Sequence, residues 1–151
     1  MNLAFDQIQR AMKTLLAASP VLAGLTILIE DDPTATADEL AAFEKTFEDA
    51  LATKGFVLGI KTPHFKKQSE VRHQAIALLG IILVVAFENP AVNRKAGGAG
   101  LTIGAALDAA LVALLPLCGF EEEPLMPPAR LDELHTRALV ANIEIERELP
   151  S

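Results

Sequence analysis

The residues that could do chemistry are few, and their spacing is poor for it. The best anion site on paper is Asn93-Arg94-Lys95-Ala96-Gly97-Gly98-Ala99-Gly100-Leu101-Thr102, a glycine-rich turn running into a helix, because free N–H groups at a helix start suit phosphate. A P-loop, however, needs Lys and then Ser or Thr directly after its last glycine. Here Leu101 fills that place and Lys95 lies upstream. The G-x-G-x-x-G pattern of dinucleotide sites is absent too, so the stretch reads as a mobile loop and a helix start. His64, His73 and His135 show no zinc-type spacing with Cys or with one another, and each reads as a surface histidine. The consecutive carboxylates Glu121, Glu122 and Glu123 point in different directions and form a solvated loop. The single cysteine, Cys118, lies in an apolar context and can form no internal disulfide. A buried, inert thiol in a reducing compartment fits it. Phe43 and Phe47, at helical spacing, are core positions. With neither Trp nor Tyr, the chain lacks the usual aromatic tools for sugar or base recognition. The expectation is no catalytic residue, no cofactor and no metal.

The elements around these residues follow from hydrophobic periodicity. Residues 3–18 place Leu3, Ile8, Met12, Leu15 and Leu16 near one helical face, with Asp6, Gln9, Arg10 and Lys13 mostly elsewhere. Pro20 ends that helix. Residues 25–30 (LTILIE) form a short buried strand stopped by Asp31-Asp32-Pro33. A second helix spans 36–53: Thr36 caps it with Glu39 at the capping-box spacing, Leu40, Phe43, Phe47 and Leu51 recur on one side, and Gly55 closes it. A second strand covers 56–61, and the polar, basic residues 64–70 read as an exposed loop. Residues 71–88 carry the strongest strand signal, with Ile76, Leu78, Ile82 and Val84 on one face and Leu79, Ile81, Leu83, Val85 and Phe87 on the other. A strand apolar on both faces has to be covered on both. After a Pro/Gly-rich loop at 89–100, residues 101–115 form a helix with Asp108 as its one charge, so it is buried on more than one side. Residues 116–128 are irregular, and 139–149 alternate as a half-buried strand. The sequence thus predicts one α/β (α+β) domain over 1–151, ordered α-β-α-β-β-α-β, with helices on a four-stranded mixed or antiparallel sheet.

Composition adds a constraint on partners. At 151 residues with 51% hydrophobic and 22% charged side chains, the polar coat is thin for so small a domain, and some apolar surface calls for a partner. A neighbouring copy is the economical cover for the second face of 71–88. The longest apolar run, 75–87, falls far short of the roughly 20 residues that cross a bilayer as a helix. Lys13 and the apolar residues after it imitate a signal peptide, but the eleven residues before Met12, acidic Asp6 among them, argue against one. A net charge of −7 disfavours any surface built to grip nucleic acid.

The run Phe87-Glu88-Asn89-Pro90-Ala91-Val92-Asn93-Arg94, a glycine-bearing loop and the apolar helix LTIGAALDAALVALLPL, together with the upstream FEKTFEDALATKGFVLGI, resemble phage and prophage tail-terminator or minor tail proteins over about two thirds of the chain. The resemblance implies a non-enzymatic structural subunit of the virion tail, assembled in the host cytoplasm. It also implies a hexameric ring that caps the tail tube, ends its polymerisation and offers its other face to the head connector, while DNA passes through without specific binding. The implied partners are therefore further copies of the chain, a tail tube protein and a head-tail connector protein, with no membrane. The chain departs from the pattern at loop 89–100, which reads as flexible enough to need a partner to order it. Leu79, Ile81, Leu83, Val85, Leu107 and Leu111 are expected at the subunit interface. Asn89, Pro90, Asn93, Arg94, Lys66 and Lys67 are expected to meet the tube or connector. A head-completion protein, or a small α/β ligand-binding or enzymatic domain, stays open beside this reading; a deep pocket lined by His73, His135 or the glutamates would favour the last.

Overall fold

The computed structural model describes residues 3–72 and 75–148 and has the α+β class read from the sequence. A 3-10 turn, Phe5–Gln7, leads into α1, Ile8–Ala17. Strands β1, Thr26–Ile29, and β2, Phe56–Ile60, pair in parallel, with α2, Ala37–Thr53, as the crossover between them. Thr36 and Glu39 form the full capping box that starts α2. Strand β3, His64–Arg72, is antiparallel to β4, Ala75–Glu88. A short helix α3, Pro90–Asn93, and α4, Ile103–Leu114, precede β5, Ala129–Leu131, and β6, Leu134–Glu148.

The sheet is organised around β4. Its 14 residues extend about 45 Å. One edge pairs with β3 over its first half and with β2 over its second, while β6 pairs along its whole other edge. The strand order is β1-β2-β4-β6-β5, with β3 also on β4. Alternation along the strands gives the two faces separate covers. α1 and α4 pack on Phe56, Leu58, Ile60, Ile82, Val84, Ala86, Leu139, Ala141 and Ile143, all fully buried. α2 packs on the opposite face, against Val57, Leu28 and Phe87, with Phe47 edge-on to Phe87 at 5.1 Å.

Several expectations need correction. The sheet has six strands, not four. Residues 64–70, read as a loop, lie in β3, whose polar composition is that of an edge strand discouraging further pairing; the last strand begins five residues earlier than expected, at Leu134. Gln9, expected on the wet side of α1, is 2% exposed. Its amide donates to the carbonyls of Glu30 (3.0 Å) and Lys61 (3.1 Å) at the ends of β1 and β2, supplying partners that the ladder lacks there. The loop 89–100 is held by the chain itself. Asn89 caps α3, Gly98 N–H donates to Lys95 O, Ala99 N–H to Lys54 O, and Gly100 N–H to Asn93 O. Gly55 (φ +73°) lets this loop approach so closely that a Cβ there would lie 2.3 Å from Asn93 N. No described helix is long and apolar enough to cross a membrane.

Candidate functional site

The α2-side face of β4 is only partly roofed. Near its end, α2 covers Phe87, and Val85 is 9% exposed. Farther back, Leu83 and Leu79 are half-buried and Ile81 is 38% exposed. Their register partners extend the strip: His64 and Asn142 flank Ile81, while Lys66 and Glu144 flank Leu79. An aliphatic row thus runs between a basic edge on β3 and an acidic edge on β6. A groove of about 500 Å³ lined by Leu79, Leu117, Gly119, Asn142, Glu144 and Glu146 continues it.

On the other side of the sheet, α4 presents a second apolar patch. Leu107 is fully buried in the core, so it does not make the outward contact expected of it, while Leu111 packs against that core and is half-buried. The outward positions are Val112 (59% exposed) and Leu115 (57%). Their signal was present in the sequence: both share the helical face of Asp108, at i+4 and i+7, and the one charge of the helix marks its wet side.

A cleft of about 560 Å³ opens where β4 ends and α4 begins, lined among others by Glu88, Arg94, Thr102, Arg130, His135 and Arg137. Glu88 sits at its base with a side chain 3% exposed. Its position follows from the alternation of Ile82, Val84 and Ala86, which puts a carboxylate on the core face. Arg94 donates to it from Nη2 (3.0 Å) and Nε (3.3 Å), and Asn93 Nδ2 donates as well. Asn93 also clamps Leu101, donating to its carbonyl at 3.0 Å and accepting from its N–H at 3.4 Å. Burial pushes the Glu88 carboxyl up, but the Arg94 and Asn93 hydrogen bonds and the Arg94 charge outweigh it and hold it below the ordinary carboxylate value. The bond and charge of Glu88 in turn hold Arg94 charged. His135 Nδ1 is 3.7 Å from Glu88 Oε1. With both oxygens engaged, Glu88 is poorly placed to act as a base. The cleft keeps positive charge at Arg130 and Arg137 within a chain of net charge −7.

The residues expected to meet a tube or connector do not form one patch. Asn93 is 1% exposed and spends its amide inside the fold, which removes it from any contact surface. Asn89 and Pro90, both half-buried, build the start of α3. Arg94 lies at the cleft, and Lys66 pairs opposite Leu79, nine residues back along β4 from Glu88, roughly 30 Å away in an extended strand. The backbone of Lys67 pairs opposite Leu78; its side chain and His73 lie outside the described residues. No group of three or more His, Cys, Asp or Glu among the described residues is arranged to hold a metal ion.

Compared with known proteins, the chain matches no protein-family model and no curated sequence.

Proposed function

We propose that this chain is a non-enzymatic structural subunit that associates head to tail with copies of itself. In this reading it forms the ring that caps a phage tail tube and meets the head connector, as the tail-terminator resemblance implies, with DNA passing through and the virion tail as its location. The observation that carries the self-association is the half-roofed strip Leu79, Ile81 and Leu83 on one side of the sheet, facing away from the outward Val112 and Leu115 on the other. Two unlike apolar surfaces on opposite sides suit a heterologous contact, which closes into a ring when the rotation between neighbours permits. A two-fold dimer would instead bury one patch against itself.

The test is light scattering and sedimentation of the wild type, Ile81→Asp and Val112→Asp. The wild type should form a closed oligomer that binds tail tubes, and either charge should break it, since each removes one side of every contact. A wild type that stays monomeric at high concentration and binds no tube removes the basis of the proposal. A ligand-binding domain is the second reading, favoured by the cleft that holds Glu88 and His135; binding of a small anion by a monomeric wild type would select it.

A further inference from the structure

The cleft and the acidic loop have opposite charge, and no ion pair joins them within one molecule among the described residues. Glu121, Glu122 and Glu123 are exposed on the outer edge of β6. Their segment is fixed at both ends, by the reciprocal bridge of Gly119 and Asn142 (2.8 Å each way) and by Val140 N–H donating to Pro124 O and Met126 N–H to Ala138 O. Glu121 accepts a hydrogen bond from Asn142, while Glu122 and Glu123 form no ion pair among the described residues. At the cleft, Arg130 is exposed and likewise forms no ion pair among the described residues, and Arg137 has one hydrogen bond, to Met126 O.

Each charged feature adjoins an element that carries one of the apolar surfaces. Asn142, which holds Glu121, is the cross-strand partner of Ile81, so the acidic loop borders the half-roofed strip. Thr102 and Ile103, which line the cleft, begin α4, and Val112 and Leu115 lie at the other end of the same helix, roughly 15 Å along it. In a head-to-tail contact that lays the strip of one copy along α4 of the next, the loop and the cleft would both lie at its margin.

We propose that the basic cleft of one subunit, through Arg130 and Arg137, receives the acidic loop Glu121–Glu123 of the next copy of this chain. The inference rests on the self-association reading and names the polar lock of that contact. Charge pairs at the margin of an apolar contact fix register and exclude wrong partners more than they add affinity. The lock therefore selects the head-to-tail arrangement over others that the apolar patches alone would allow.

The test uses full-length Arg130→Glu and the double variant Glu122→Lys/Glu123→Lys, with circular dichroism confirming that both are folded. Each should associate about thirtyfold more weakly than the wild type in sedimentation equilibrium. Mixed together, the two variants should co-assemble as the wild type does, because the acidic loop of one meets the intact cleft of the other and the lysine loop meets the glutamate put in place of Arg130. All three substitutions in one chain should restore assembly. Variants that each assemble as the wild type does, or a mixture that does not co-assemble, would overturn the lock while an oligomeric wild type leaves the self-association reading standing. If Arg130→Glu alone weakens assembly, the cleft receives some other anion and the proposal is wrong. A monomeric wild type overturns both.

Discussion

Replacing Asn93 tests whether the run ENPAVNR is a folding device or a contact surface. Asn93→Ala removes three hydrogen bonds: to the Glu88 carboxylate, to Leu101 O at 3.0 Å, and from Leu101 N at 3.4 Å. At about 1.5–3 kcal/mol for the charged bond and about 0.5–1 for each of the others, the loss is about 2.5–5 kcal/mol. In a domain of this size that corresponds to a fall in Tm of roughly 10 °C. Asn93→Asp keeps the shape but sets a second carboxylate against Glu88. One of the pair must then hold its proton above the ordinary range, adding about 1–2 kcal/mol at pH 7. The pH dependence separates the two variants. In the wild type Glu88 titrates below its unfolded value, so its stabilisation is complete above that value and is lost as pH falls through the folded one. In Asn93→Asp a carboxyl titrates above its unfolded value, so lowering the pH relieves the penalty. The gap between wild type and Asn93→Asp should therefore narrow from pH 7 to pH 4.5, read as urea midpoints at a common m-value. A cost below about 1 kcal/mol for Asn93→Ala, or a gap for Asn93→Asp indifferent to pH, would refute the clamp.

Gly55→Ala meets both a left-handed backbone and the Asn93 amide at 2.3 Å, and should cost more than about 3 kcal/mol in urea unfolding. Gly97→Ala, at φ +87° with open space around it, should cost only about 1–2 kcal/mol; equal losses would mean that the close approach is not maintained in solution. Burial pushes the Cys118 thiol up to about 11. At pH 8 it should therefore react with a disulfide reagent at least about a hundredfold more slowly in the folded chain than in urea, and a fast folded-state reaction would place it at the surface.

Local signals in the sequence determined much of the architecture. The capping box at Thr36 and Glu39 fixed the start of α2, LTILIE and FVLGI marked β1 and β2, and the two-sided apolar pattern within 71–88 identified the central strand, because periodicity and caps act over a few neighbouring residues. The first two residues of that range, Val71 and Arg72, nevertheless end β3, and the central strand itself begins at Ala75. Strand β3 escaped such reading, since HFKKQSEVR is a strand only because β4 offers it an edge. Gln9 is buried because carbonyls 21 and 52 residues away need partners, and Asn93 because the turn after it brings Leu101 back onto its amide, which composition cannot reveal. The cleft is likewise a tertiary product, assembled from the end of β4, α3, the start of α4, and strands β5 and β6. Alternation could place Glu88 on the core face, and Asp108 could mark the wet side of α4. Only the packing decided that Leu107 faces inward, that Ile81 stays half-roofed, and that Arg130 and Arg137 stand beside Glu88, because burial and charge neighbours are set by contacts between segments far apart in the chain.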